Sequence, residues 1–296
     1  MSKVYEGEII DGHMHLWDLS RGEYPWLQGA DNHFEDIIGD YKKMKRNFFL
    51  PEYQEWIKPH HVTKSVHIET NAAPTKGLHE TEWLQKIADE KGFPHGIVAY
   101  ADLSDPDIEN VTKEQCQFPN VRGIRQILFE REGEPSLLNA PHCQKGLKYL
   151  ASQNLTFDIA IFGKQIKDAA KVVKEYDDVL FILDHLGWPL DVTDSGFTKW
   201  KEDLASLATC PNCYLKLSGI GLVFQRLDQE NIKRFLHAGI ELFGEDRCLF
   251  GSNVPPAALF ISYAELIGMF KEAFSTFDIK VQHKLFYENA KEFYGI

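Results

Sequence analysis

Short apolar runs recur along the chain, and each is followed by a stretch of helical period. Eight of them read as strands: Glu8–His15, Thr63–Glu69, Gly96–Ala101, Arg122–Leu128, Thr156–Phe162, Val179–His185, Tyr214–Ser218 and Arg247–Ser252. The alternation predicts an α/β chain with a parallel sheet. Eight strands match a closed (β/α)8 TIM barrel. A doubly wound open sheet is the alternative, although no Gly-rich dinucleotide turn follows any of the runs.

The helical stretches carry their own boundaries. Ser262 and Glu265 have capping-box spacing ahead of an apolar face of Leu266, Phe270 and Phe274. Asp228 is placed to cap a helix bearing Ile232, Phe235, Leu236 and Ile240, with Gly244 near its end. Glu80–Glu90 puts Leu84, Ile87 and Ala88 on one face, with Gly92 as the stop. These stripes are the faces that cover a barrel. One connection is long: the first strand and Thr63 are separated by a helix-like stretch, Asp31–Ile57, and an aromatic segment, Trp17–Trp26. Insertions of that size after a strand are usually lids or binding loops. With no repeat, low-complexity tract or linker, residues 1–296 read as a single domain.

Composition narrows the partners. The net charge of −12, with no basic run, disfavours a nucleic-acid ligand. No segment approaches the roughly 18 apolar residues of a membrane span, and the N-terminal stretch lacks the apolar run of a secretory signal, so a cytoplasmic protein with a small-molecule substrate is expected. Monomer and homo-oligomer both stay open. Five cysteines at scattered spacing argue against a disulfide framework; Cys210 and Cys213, though spaced CxxC, read as a turn before a strand.

Candidate chemistry gathers at strand ends. The first strand ends in His13-Met-His15, and residues two apart on a strand share a face. Two imidazoles held this way suit a divalent metal at about 2.0–2.1 Å each; a hydrogen-bonded polar pair is the alternative. The sixth run ends in Asp184-His185, with His185 at the carboxyl edge of an apolar strand, where this fold keeps its chemistry. Strand alternation assigns Asp184 to the other face, to packing or a supporting bond. The last strand ends at Asn253, before Pro255 and Pro256. Lys216 lies inside an apolar strand and needs a buried partner, either an anionic ligand or a structural carboxylate. Glu69 closes its strand as a possible metal ligand or base, with His67 on the same face. Trp17, Tyr24 and Trp26 are candidates for a pocket wall or for packing of the insertion.

The chain resembles the amidohydrolase superfamily, in particular the amidohydrolase-related group that contains sugar lactonases and 2-pyrone-4,6-dicarboxylate lactonase. The resemblance covers nearly the whole chain and runs through DGHMHLWD with YPWL, VHIET with ETEWL, HGIVAYADL, VRGIRQIL, LDHLGWP, LKLSG and RCLFGSNVP. It implies a (β/α)8 barrel that hydrolyses a lactone or related carbon–oxygen bond at the strand carboxyl ends. It implies that His13, His15 and His185 line the reaction centre, binding a divalent metal in some members and touching substrate directly in others. Arg122 and Arg125 match positions that face carboxylate or lactone oxygens, a task suited to the guanidinium fork. They are three apart, so a bend or a strand end is needed to bring both in; for either, a surface salt bridge is the alternative.

One position departs from the group. Its catalytic members usually carry aspartate where this chain has Asn253; an amide cannot act as general base, but its oxygen can bind a metal weakly or orient a water, which keeps Asn253 among the candidate catalytic residues. Two repairs are open. Zinc or manganese on His13, His15 and His185, with Glu69 as a further ligand or proton acceptor, would lower the pKa of bound water toward about 7. Without a metal, a neutral histidine would act as base. Both lead to a carboxylic-ester-type hydrolase of a small anionic or polyhydroxy lactone, with Arg122, Arg125, Lys216 and Trp17 binding substrate. A metal-dependent decarboxylase of a small unsaturated acid, or a non-catalytic binding relative, are the alternatives.

Overall fold

The computed structural model describes residues 4–21, 23–29, 34–129, 138, 141–225 and 228–296, the side chains of 141 and 142 excepted. Eight strands run in chain order: β1 Ile9–Met14, β2 Val62–Ile68, β3 Gly96–Tyr100, β4 Val121–Ile127, β5 Thr156–Ala160, β6 Phe181–Leu183, β7 Cys213–Leu217 and β8 Cys248–Phe250. Each pairs in parallel with the next. Past β8, the Asn253 N–H donates to His13 O at 2.7 Å and the His15 N–H to Val254 O at 2.8 Å. The chain after the last strand thus meets the first, giving the expected (β/α)8 barrel.

The covering helices start and stop where their capping residues direct. Ser262 and Glu265 form the full capping box of helix Tyr263–Phe274. Asp228 accepts from Asn231 N at the start of Gln229–Phe243. Helix Gly77–Lys91 begins one turn earlier than the apolar stripe suggested and ends on Gly92 in the left-handed region. Two apolar clusters result. The larger fills the space between barrel and helices. The smaller includes Ile10, Val66, Ile68, Val98, Ile182 and Leu249, one set of strand side chains, together with Phe293 and Tyr294 of the C-terminal helix.

Two expectations change. The insertion after β1 is not one helix-like stretch. It breaks into Pro25–Gln28, Glu35–Ile38 and Leu50–Ile57, because Gly39 at φ +76° ends one piece and Pro51 starts another. Residue 22 of the aromatic segment and residues 31–33 of the helix-like stretch, including Asp31, lie outside the described residues. The sixth strand is also shorter than its apolar run, stopping at Leu183. Cys210 and Cys213 flank the turn into β7 and carry free thiols. Among the described residues, no helix is long and apolar enough to cross a membrane.

Candidate active site

A buried ion cluster lies inside the strands. On β7, Leu215 and Leu217 pack outward toward Gly239 of a covering helix, so Lys216 points in. Its ammonium donates to Asp158 of β5 and lies 2.8 Å from Asp184 Oδ1. Tyr294 OH donates to the same Asp158 carboxylate at 2.9 Å. Arg125 of β4 donates from Nε to Glu69 Oε1 at 2.8 Å, from Nη2 to the Glu69 carbonyl at 2.5 Å and from Nη1 to Asp184 Oδ2 at 3.2 Å. Burial pushes the Asp158 carboxyl up to about 6, with Lys216 only partly offsetting it. Burial acts on Asp184 too, but Lys216 and His13 beside it hold that carboxyl well below the usual range.

The histidines sit against this cluster. His13 packs on His15 and His185, with ring centroids 4.9 and 4.5 Å away. Its Nδ1 is 3.3 Å from Lys216 Nζ and 3.5 Å from Asp184 Oδ1, and its Nε2 is 3.5 Å from Arg125 Nη1. His15 Nδ1 lies 2.7 Å from Ile68 O, and Nε2 lies 3.1 Å from Asn253 Oδ1. His185 Nδ1 lies 2.7 Å from Ser218 Oγ. Burial pushes the His185 imidazole down to about 3 and those of His13 and His15 well below 6.5, so all three are neutral near pH 7.

Local backbone geometry aims His185. From His185 to Trp188 every φ is positive, between 44° and 68°. Side-chain-bearing residues enter this region at a cost of roughly 1–2 kcal/mol each. Surrounding contacts hold the turn: Trp188 N–H donates to His185 O at 2.9 Å and Trp200 Nε1 to Leu186 O at 2.7 Å. Gly219, at φ +68°, lies so close that a Cβ there would stand 2.7 Å from the His185 ring. The turn also corrects Asp184, which faces the ion cluster rather than the outer helices. Ile182 faces the inner cluster, so alternation carries Asp184 to the same inward side, where it meets Lys216 and Arg125; the left-handed turn begins at His185, which is therefore not the inward residue of a regular strand.

Above the histidines opens a cavity with about 610 Å³ of empty space, its mouth included. Its polar residues are His15, Thr70, Asn71, Arg125, His185 and Asn253. The insertion contributes Trp17, Trp26, Phe34 and Ile38 to the wall, so its aromatic segment does line a pocket. Ile127, Phe129, Trp188 and Leu222 line it as well, and none of these four was visible as a site residue in the sequence. Tyr24 is buried and does not line the cavity.

Several expected site residues are placed elsewhere. Arg122 stands near the start of β4, where it donates from Nη1 to Pro119 O at 2.6 Å and to Val121 O at 3.0 Å. The site gathers at the other end of the strands; the β3–β4 register skips Arg122, and Arg125, paired with inward-facing Asp158, is the one of the two that turns inward. Lys216 and His13 are fully buried and do not line the cavity, so the lysine meets structural carboxylates in place of a ligand. Glu69 is committed to Arg125 and to the Asn71 N–H at 2.7 Å. His67, pushed down to about 3 by burial, is 3.2 Å from Leu16 O. Asp158 was missed, although it is a lone charge in an apolar strand, the same signal that marked Lys216.

The donor types fit a divalent ion. His13, Asp184 and His185 place three ligand atoms within 4.8 Å of one another. This set exchanges the expected His15 and Glu69 for Asp184. Both Asp184 oxygens already face cations, Lys216 on one and Arg125 on the other.

Behind the wall, Glu80 is fully buried. Thr70 donates to it from its hydroxyl and, at 3.3 Å, from its N–H, while Thr70 O accepts from Trp26 Nε1 at 2.8 Å. Burial, reinforced by Glu69, pushes the Glu80 carboxyl up to about 8. A raised carboxyl pKa means the folded state holds the proton that the unfolded chain releases. Stability therefore falls as pH rises from about 4.5 to about 8, by up to about 1.4 kcal/mol per pH unit. Glu80→Gln removes this loss. The melting temperature of the variant minus that of the native chain is expected to grow between pH 6 and pH 8. A constant difference across that range overturns the assignment.

The family model for amidohydrolases matches residues 10–296. An uncharacterised protein of Sinorhizobium fredii, y4mH, is 35% identical over 97% of this chain and 98% of its own length. L-fucono-1,5-lactonase of Burkholderia multivorans is 25% identical, over 88% of this chain and 86% of its own. A solved amidohydrolase from Burkholderia multivorans with bound zinc superposes with a TM-score of 0.83 at 22% identity, covering 98% of this chain and 99% of that one. At that identity the likeness speaks to the fold.

Proposed function

We propose a hydrolytic function from one premise: the chain belongs to the amidohydrolase family. The reaction is attack of water on the acyl carbon of a lactone, which opens the ring to a hydroxy acid. One observation carries it. A neutral imidazole, His185, and a guanidinium, Arg125, line the same cavity beside a neutral amide, Asn253. The similarity to a fuconolactonase supports an acyl carbon–oxygen bond as the target.

In this reading Ser218 Oγ accepts from His185 Nδ1–H, which leaves the Nε2 lone pair to take a proton from water. The water oxygen bonds to the acyl carbon, and the carbonyl electron pair moves onto oxygen, where Arg125 stabilises it. Collapse breaks the ring carbon–oxygen bond, and the leaving alkoxide recovers the proton from His185. Asn253 positions the water. His15 is neutral and Ile68 O only accepts, so the His15 proton sits on Nδ1 and Nε2 accepts. Asn253 satisfies that lone pair by turning its amide N–H toward it, and its oxygen then faces the cavity to accept from the water.

A divalent ion, where bound, would be held by His13, Asp184 and His185 and would polarise the carbonyl and acidify the water. Lys216 and Arg125 already occupy the Asp184 oxygens, so ring opening is expected to survive chelation. The test is a pH-indicator assay of purified protein on sugar, aryl and carboxylated lactones, before and after EDTA and with Zn²⁺ or Mn²⁺ restored. Ring opening within about threefold in both states is the expected result. Activity that vanishes with EDTA and returns with metal overturns the metal-free route. Absence of lactone turnover, together with CO₂ release from aromatic or enoic acids, overturns the function.

A further inference from the structure

Among the described residues, most of the cavity wall is apolar. The two tryptophans of the insertion turn their polar edges away: Trp17 Nε1 donates to Arg46 O at 2.6 Å and Trp26 Nε1 to Thr70 O at 2.8 Å. The Thr70 hydroxyl is spent on Glu80, and both His15 nitrogens are engaged. Ile127, Phe129, Trp188 and Leu222 add to the wall, with Phe129 and Trp188 in edge-to-face contact at 5.4 Å. Among the described residues, the side-chain polar groups left for a ligand are the spare N–H groups of Arg125, His185 Nε2, the Trp188 indole N–H, and the amides of Asn71 and Asn253. That set serves one ester group and one water. A sugar lactone brings several further hydroxyls, and each one buried without a partner lowers affinity about tenfold or more.

Charge points the same way. Arg125 is the one Lys or Arg among the described lining residues, and it is already paired with Glu69 and Asp184. Counted with Asp158 and Lys216, the buried cluster holds three carboxylates against two cations. A substrate carboxylate entering there meets an excess of negative charge.

We infer that the substrate is an uncharged lactone with an apolar, aryl- or alkyl-bearing body, taken against the aromatic wall with its ester group on Arg125, His185 and Asn253. The inference rests on the lactone-hydrolase reading and replaces the anionic or polyhydroxy substrate expected from sequence.

The test compares kcat/KM for 3,4-dihydrocoumarin and δ-nonalactone with that for D-glucono-1,5-lactone and a pyrone dicarboxylate. The apolar pair is expected to lead by at least about 100-fold. Phe129→Ala should lower that lead by about tenfold, chiefly through KM. A sugar or carboxylated lactone opened as fast as the apolar pair overturns the inference and leaves the lactone-hydrolase reading standing. If no lactone is opened, that reading fails and the ester part of the inference with it, and binding decides whether the cavity selects an uncharged, apolar body. Quenching of the cavity tryptophans by 1-tetralone, an unhydrolysable ring ketone, should then saturate at a concentration at least about 100-fold below any response to D-galactose or gluconate. Equal or weaker binding of the ketone overturns it.

Discussion

Lys216→Met is expected to destabilise the protein by about 3–5 kcal/mol, because it leaves Asp158 and Asp184 buried beside one another without their shared cation. Methionine fills nearly the same volume, so little of the loss is due to a cavity. What remains is the cost of two carboxylates fully removed from water. Asp158 then has only Tyr294 as a donor, and Asp184 only Arg125 and the neutral His13. Urea denaturation of the purified variant measures the loss. Pairing Lys216→Met with Asp158→Asn should recover a large part of it, since the double change removes one charge of each sign. A loss below about 1 kcal/mol would show that the ammonium is not what holds these carboxylates.

His185→Asn is expected to lower kcat on any lactone substrate by about 10²–10⁴-fold, the range for loss of a positioned general base. Asparagine is the informative replacement because it tolerates the left-handed backbone that His185 adopts at φ 54°. The turn that carries Asp184 and Trp188 should therefore survive, with a melting temperature near that of the native chain. The fall should appear in kcat more than in KM. Because burial holds the His185 pKa at about 3, the ring is already neutral at pH 5. The native kcat/KM should accordingly show no fall on acidification through pH 6.5, where an exposed histidine would be protonated. So weak a base suits an activated ester better than an amide. Activity of His185→Asn within tenfold of native would remove this histidine from the reaction.

The barrel was legible in the chain because its evidence is local and repeated. A strand buried on both faces reads as an apolar run, a covering helix reads as a stripe with a cap, and eight such units leave few topologies. The strand-end histidines were legible for the same reason, since His13 and His15 are two apart at the end of one apolar run and His185 ends another. Lys216 announced itself as a charge inside an apolar run. Its partners did not, because Asp158 and Asp184 come from other strands and only register brings them to the same ammonium.

The remaining assignments needed three dimensions. Arg122 and Arg125 are equivalent on paper, and the inward face of β4 selects Arg125. Asp184 looks outward only if His185 is taken as the inward residue of a regular strand; Ile182 faces in, Asp184 follows it, and the left-handed turn that starts at His185 sets that ring apart. Glu69 looked like a free carboxylate until Arg125 and the Asn71 N–H were found on it. The sequence by itself determined the scaffold and the end of it at which chemistry gathers, because those depend on periodicities of two and 3.6 residues. The tertiary structure alone decided which charges neutralise one another, which histidine nitrogens stay free and how apolar the cavity is. Those properties depend on pairings between residues tens to hundreds of positions apart, and no local pattern records them.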